Sequence, residues 1–97
     1  MKDLSLKSQT VIRPRDGVLA CDLAGGAALL DTGSSTYFAL NGVGAAVWSL
    51  IERSTTVNTL VEHVTTTFEV TSATARHDLE DLIANLAQHG LVRIEQR

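Results

Sequence analysis

The hydrophobic period of this chain changes once, at Asn41, and that change fixes what it can fold into. Before it, residues 28–30 and 37–40 are short apolar runs on either side of a Thr32-Gly33-Ser34-Ser35 turn, the pattern of a β-hairpin. After it, Val43, Ala46, Val47, Leu50 and Ile51 recur at i, i+3, i+4, i+7 and i+8, the apolar stripe of an α-helix. Asn41 itself carries a side chain that can accept from the first free amides of that helix. Strands are therefore expected before Asn41 and helices after it, with the β half handed directly into the α half.

In chain order, residues 1–9 are polar apart from scattered leucines and read as a flexible lead-in that can also supply a short strand. Val11-Ile12 precede Pro14 and an Arg15-Asp16-Gly17 turn, and Ala24-Gly25-Gly26 turns the chain again. A three-stranded antiparallel meander over 18–23, 27–31 and 36–40 is expected, since such short connections cannot carry a parallel crossover. Gly42 and Gly44 weaken the first turn of the first helix by up to ~1 kcal/mol each relative to alanine, which points to close backbone packing there.

Thr55 or Thr56 can cap a second helix with Val57, Leu60, Val61, Val64 and Phe68 as its stripe; the β-branched Thr65-Thr66-Thr67 run is expected to fray its end. Thr71 or Ser72 caps a third and longest helix, in which Ala75, Leu79, Leu82 and Leu86 form the stripe with Ile83 beside it. Gly90 suits a left-handed residue after the last turn, and Leu86 and Leu91 then have the separation of a Schellman contact; 91–94 leaves as an extended tail. The fold class expected is α+β, winged helix-turn-helix-like, with a three-stranded antiparallel sheet followed by three helices.

Ninety-seven residues fit one domain, which buries about 65% of its unfolded surface. The lone Cys21 cannot form an internal disulfide, the N-terminal residues lack the apolar run of a signal peptide, and no stretch approaches the ~20 apolar residues of a membrane span. A cytoplasmic protein with no membrane partner is expected. The net charge is −3, with both signs interspersed, so the footprint of a nucleic-acid backbone is missing.

Several constellations carry possible chemistry. Asp31-Thr32-Gly33-Ser34 matches the aspartic-protease signature, but that chemistry needs two carboxylates sharing a proton in a mostly β fold, and the back half here is helical. The simpler reading is a hairpin turn in which Asp31 bonds local amides and Gly33 supplies positive φ. Cys21, His63, His77 and His89 lack metal-ligand spacing, so neither a metal nor any other cofactor is expected; His89 suits a helix C-terminus and Cys21 a strand face. Asp78, Glu80 and Asp81, with Arg76 and His77, crowd the third helix, either as a solvated face or as a surface reading a basic or polar ligand. Trp48 and Tyr37 serve either as ligand anchors or in the core and its rim.

The remaining candidate is a sheet edge. An open three-stranded sheet has two, and residues 36–40 offer one without the lysine or proline that usually blunts such strands. An extended peptide, a second subunit or the amino-terminal segment can satisfy it, so a homodimer stays open.

The run Ala28-Leu29-Leu30-Asp31 and Tyr37-Phe38-Ala39-Leu40-Asn41, with Gly44 and Trp48, then Asp78-Leu79, Leu82, Leu86 and Gly90-Leu91-Val92, resembles the PqqD-like family, the RiPP recognition elements. Stand-alone members include the leader-binding proteins of lasso-peptide pathways. The resemblance implies a winged-helix-like domain that binds the leader of a ribosomally made precursor peptide, which adds to the third strand and lies against the third helix. Carried onto this chain, it points to Thr36, Tyr37, Phe38, Ala39 and Leu40 on the strand and to Arg76, Leu79, Glu80 and Ile83 on the helix, with Leu82 and Leu86 on the core side. The Tyr37-Phe38 pair departs from members with two tyrosines. With no catalytic domain in the chain, the resemblance implies a non-enzymatic adaptor whose partners are the leader peptide and a processing protease or other modifying enzyme. The alternative is a winged-helix DNA-binding regulator, which the acidity of the chain opposes.

Overall fold

A computed structural model describes residues 6–7 and 9–95 of the chain. The elements run β1 (Val11–Pro14), β2 (Val18–Leu23), β3 (Gly26–Asp31), β4 (Thr36–Asn41), α1 (Gly42–Ile51), β5 (Thr55–Thr56), α2 (Val57–Phe68), α3 (Ser72–Gln88) and β6 (Val92–Glu95). The meander is present, antiparallel and in the order β2-β3-β4, with Leu29 opposite Ala20 and Phe38. The expectation for residues 1–9 lies mostly outside the described residues, although Leu6 is 3% exposed and joins the core.

The α half follows its caps. Asn41 accepts from the Gly44 amide at 2.8 Å, so the last residue of β4 is also the cap of α1 and the strand runs into the helix without a loop. A Cβ on Gly44 would stand 3.1 Å from Leu40 Cδ2, which is the close packing its presence implied. Thr56 and Thr71 cap α2 and α3, accepting from the Thr59 and Thr74 amides. At the far end of α3, Gly90 has φ +72°, Leu91 N–H donates to the Leu86 carbonyl at 2.9 Å and Gly90 N–H to Ala87 at 3.0 Å, both bonds of a Schellman motif.

Three local expectations are corrected. The positive φ of the β3–β4 loop falls on Ser35 (φ 60°) and not on Gly33, because the left-handed residue closes this four-residue loop just before β4 starts. Asp31 does bond the local groups, accepting from Gly33 N–H at 3.1 Å and Ser34 Oγ–H at 2.9 Å. The threonine run leaves α2 intact to Phe68, with Thr65 Oγ donating to the Glu62 carbonyl and Glu69 (φ 55°) ending the helix.

The third correction is a second antiparallel sheet, ordered β5-β1-β6, which joins both ends of the described chain. Val11 lies opposite Glu95 on one side and Thr56 on the other. This sheet closes the bottom of the core: Ile12, Leu91 and Val92 bury against Ile51, Val57, Leu60 and Leu86. Trp48 is 3% exposed and donates from Nε1 to Glu52 at 3.2 Å, so it belongs to the core and its rim.

Candidate functional site

Among the described residues the β2-β3-β4 sheet ends at β4, and the register identifies which of its backbone groups no other strand uses. Thr32 N–H donates to the Gly17 carbonyl at 3.0 Å, which makes 17 and 32 a hydrogen-bonded pair. Antiparallel pairs alternate between bonded and non-bonded. Carrying that alternation along the registers, Phe38 and Leu40 exchange bonds with Leu29 and Ala27, while the N–H and C=O groups of Tyr37 and Ala39 point away from the sheet. The side chains alternate as well: Phe38 and Leu40 turn toward the helices, and Tyr37, 63% exposed, turns outward.

Alongside this edge runs a cleft of about 390 Å³, bounded by Phe38, Ala39 and Leu40 on the strand side and by Asp78 and Leu82 on α3. It adjoins a smaller, apolar pocket of about 80 Å³ reaching down to Phe68 and Val70 at the end of α2; Val43, Asp78 and Leu82 line both. At the C-terminal end of α3 the His89 ring meets Phe38 edge-on, with centroids 5.0 Å apart and planes at 71°. His89 is fixed in place as the cap residue of α3, its Nδ1 2.8 Å from the Asn85 carbonyl oxygen.

The strand residues Thr36, Tyr37, Phe38, Ala39 and Leu40 thus share the free edge, but of the helix side chains expected only Leu79 lines a cavity, the smaller of the two. Leu79 is 2% and Ile83 0% exposed, and both lie in the core with Ala75 and Leu86. Leu82, expected on the core side, is half-buried: it packs against the core and also faces the cleft. The reason is angular. At 100° per residue, the stripe Ala75, Leu79, Ile83 and Leu86 is a narrow band, with Asp78 and Leu82 on one flank and Arg76 and Glu80 on the other. Arg76 and Glu80 are accordingly remote from the cleft: they pair with each other at 3.6 Å, and the Arg76 guanidinium donates to the Leu6 carbonyl. Asp78, expected with its charged neighbours either as a solvated face or as a surface reading a basic or polar ligand, is the one carboxylate lining both cavities. Val43, Phe68 and Val70 also escaped sequence reasoning as site residues, because each belongs to an apolar pattern that core packing explains equally well.

The arrangement offers an extended chain two donors and two acceptors on one edge and a mostly apolar trough beside it. Among the described residues no three His, Cys, Asp or Glu side chains converge as metal ligands, and no helix is long and apolar enough to cross a membrane.

Comparison with known proteins gives the fold its relatives. Similar solved structures include TbiB1 in complex with the TbiA(beta) leader peptide, with 28% identity, a TM-score of 0.78, and 84% of this chain and 94% of that one covered. They also include lasso peptide synthetase B1 complexed with the leader peptide, with 23% identity, a TM-score of 0.75, and coverage of 84% and 96%, a likeness of fold. No curated protein sequence matches the chain. The family model described as coenzyme PQQ synthesis protein D matches residues 26–92, from the start of β3 into β6 and hence through the whole cleft. A match over that much of the chain makes this protein a member of the PqqD family.

Proposed function

We propose that this protein is a non-catalytic binding module that takes the leader of a ribosomally made precursor peptide as an added strand on β4 and hands it to a processing enzyme. The observation that carries the reading is the free β4 edge lying along the cleft. Main-chain bonds to Tyr37 and Ala39 hold the leader extended, each contributing about 0.5–1.5 kcal/mol net. Alternate leader side chains then drop between Phe38, Leu40 and Leu82, where burying one aliphatic group contributes about 1.5–3 kcal/mol. Asp78 at the rim favours a hydrogen-bond donor or a basic group beside that anchor. Thr36 and Tyr37 complete the strand side of the site.

Leader binding is favoured by the 28% identity to TbiB1, which is solved with a leader peptide, and the lasso-peptide branch by the resemblance read in the sequence. In that setting the processing enzyme is a leader protease, and the gain is in effective concentration: a leader held by the module makes the second encounter intramolecular. The DNA-binding alternative is opposed by Asp78, Glu80 and Asp81 on α3, the helix that would have to approach the phosphates.

The test is titration of isotope-labelled protein with the leader peptide of the accompanying precursor, following backbone amide shifts. Saturable shifts centred on residues 36–40, Asp78 and Leu82 are expected. A saturable response that leaves those residues unmoved would place the site elsewhere, and no response at millimolar peptide would overturn the reading for that precursor.

A further inference from the structure

We infer that the opposite edge of the same sheet, β2, is a self-association surface whose occupant is β2 of a second copy of this chain. Five of the six residues of β2 are exposed, including Leu19 at 59% and Leu23 at 49%, and Val18 is half-buried. Among the described residues β2 packs substantially on β3 alone. By the alternation that frees Tyr37 and Ala39 on β4, the backbone groups of Val18, Ala20 and Asp22 point out of the β2 edge. An unpaired edge carrying two exposed leucines is a template for another strand.

What selects a second copy is the order of residues. A two-fold interface must be self-complementary, each contact occurring twice with the roles exchanged. Leu19-Ala20-Cys21-Asp22-Leu23 nearly reads the same in both directions. Antiparallel pairing centred on Cys21 sets Leu19 against Leu23 of the other copy, twice, and Ala20 against Asp22, twice. The Ala20 and Asp22 pairs are those whose backbone groups are free, so the ladder closes, and Asp22 meets alanine rather than its own carboxylate. Shifting the centre to Ala20 leaves Leu23 without a partner. With the dyad perpendicular to the sheet, the outward side chains Leu19, Leu30 and Tyr37 of both copies share one face of a six-stranded sheet. The two β4 edges then stand at its ends, five strand spacings or about 24 Å apart, so self-association and the proposed peptide site use different edges.

A single strand pair buries less than the ~1,200 Å² of a standard interface, so the dimer is weak, populated toward about 1 mM protein. Cys21 reports on it, because it would face its counterpart as a non-bonded pair with Cα atoms about 4.5 Å apart, within the ~4.4–6.8 Å range of disulfides. The experiment is sedimentation equilibrium of the reduced full chain up to about 1 mM, with Cys21→Ser, Ala20→Pro, Ala39→Pro and the double variant Leu19→Lys/Leu23→Lys, each checked for native circular dichroism. In parallel, the wild type and the double variant are oxidised with glutathione disulfide, two Cys21 thiols giving one disulfide as the oxidant is reduced to two glutathiones. Expected are a dimer in wild type, Cys21→Ser and Ala39→Pro, a monomer in the double variant and in Ala20→Pro, and covalent dimer forming at least about tenfold more slowly in the double variant, where lysine faces lysine. A wild type monomeric at about 1 mM, equal cross-linking rates, or a dimer lost through Ala39→Pro but not through the double variant would overturn the inference.

Discussion

Two neighbouring aliphatic residues of α3 should respond oppositely to truncation. Ile83 is fully buried, so Ile83→Ala removes packed carbons and leaves a cavity, which costs about 2–5 kcal/mol in comparable cores. In a domain of this size each kcal/mol lowers the Tm by about 4–8 °C, so a mid-range loss of ~3 kcal/mol lowers it by roughly 12–24 °C. Leu82 is only half-buried on the cleft wall, so Leu82→Ala forfeits about half of the 1.5–3 kcal/mol of a buried leucine, near 1 kcal/mol, and lowers the Tm by about 4–8 °C. Leader affinity reverses the order. Leu82→Ala strips the wall against which a leader side chain packs, and a loss of ~1.4 kcal/mol is a tenfold rise in Kd, whereas Ile83→Ala, measured well below its Tm, should stay within about threefold. Thermal melts by circular dichroism and calorimetric titration with the leader read the two quantities separately. Equal Tm losses, or a Leu82→Ala protein that binds as well as wild type, would refute the assignment of the two faces.

Thr71→Ala removes the oxygen that accepts from the Thr74 amide and should cost about 1 kcal/mol, a Tm fall of about 4–8 °C with unchanged leader affinity. Arg76→Ala loses a partly exposed i,i+4 pair with Glu80 and the bond to the Leu6 carbonyl; denaturant titration should show a destabilisation of about 1 kcal/mol, while calorimetry finds leader Kd within about twofold, since Arg76 lies on the far flank of α3. Ala39→Pro deletes an amide that no strand of the sheet uses and puts a ring where the leader would lie; a folded protein with at least about tenfold weaker leader binding is expected by the same calorimetry.

Much of this architecture can be read locally. The period change at Asn41, the caps Thr56 and Thr71, and Gly90 before Leu91 each act within four or five residues, and each has its expected role in the structure. The β5-β1-β6 sheet has no such signature. β5 is two residues long, β1 ends on a proline, and their partners lie far away in sequence, Val11 pairing with Glu95. The strand side of the cleft was legible because an edge is defined by the strand order and by unblunted residues 36–40. Its helix side was legible only at Leu79, which lines the smaller pocket, because Leu82 and Ile83 are adjacent and both apolar, and periodicity alone admits either in the stripe beside Leu79 and Leu86. The packing of α2 and the second sheet against α3 decides between them, and that choice carries Arg76 and Glu80 away from the cleft while bringing Asp78 to it.

The most direct test of strand addition is hydrogen exchange at four successive amides of β4, measured with and without leader peptide. The account predicts that Phe38 and Leu40, bonded within the sheet, are protected in both states, and that Tyr37 and Ala39 exchange fast in the free protein and become protected when the leader is bound. Tyr37 and Ala39 amides that stay as fast at saturating leader as without it, or that are already as slow as their neighbours in the free protein, would contradict it.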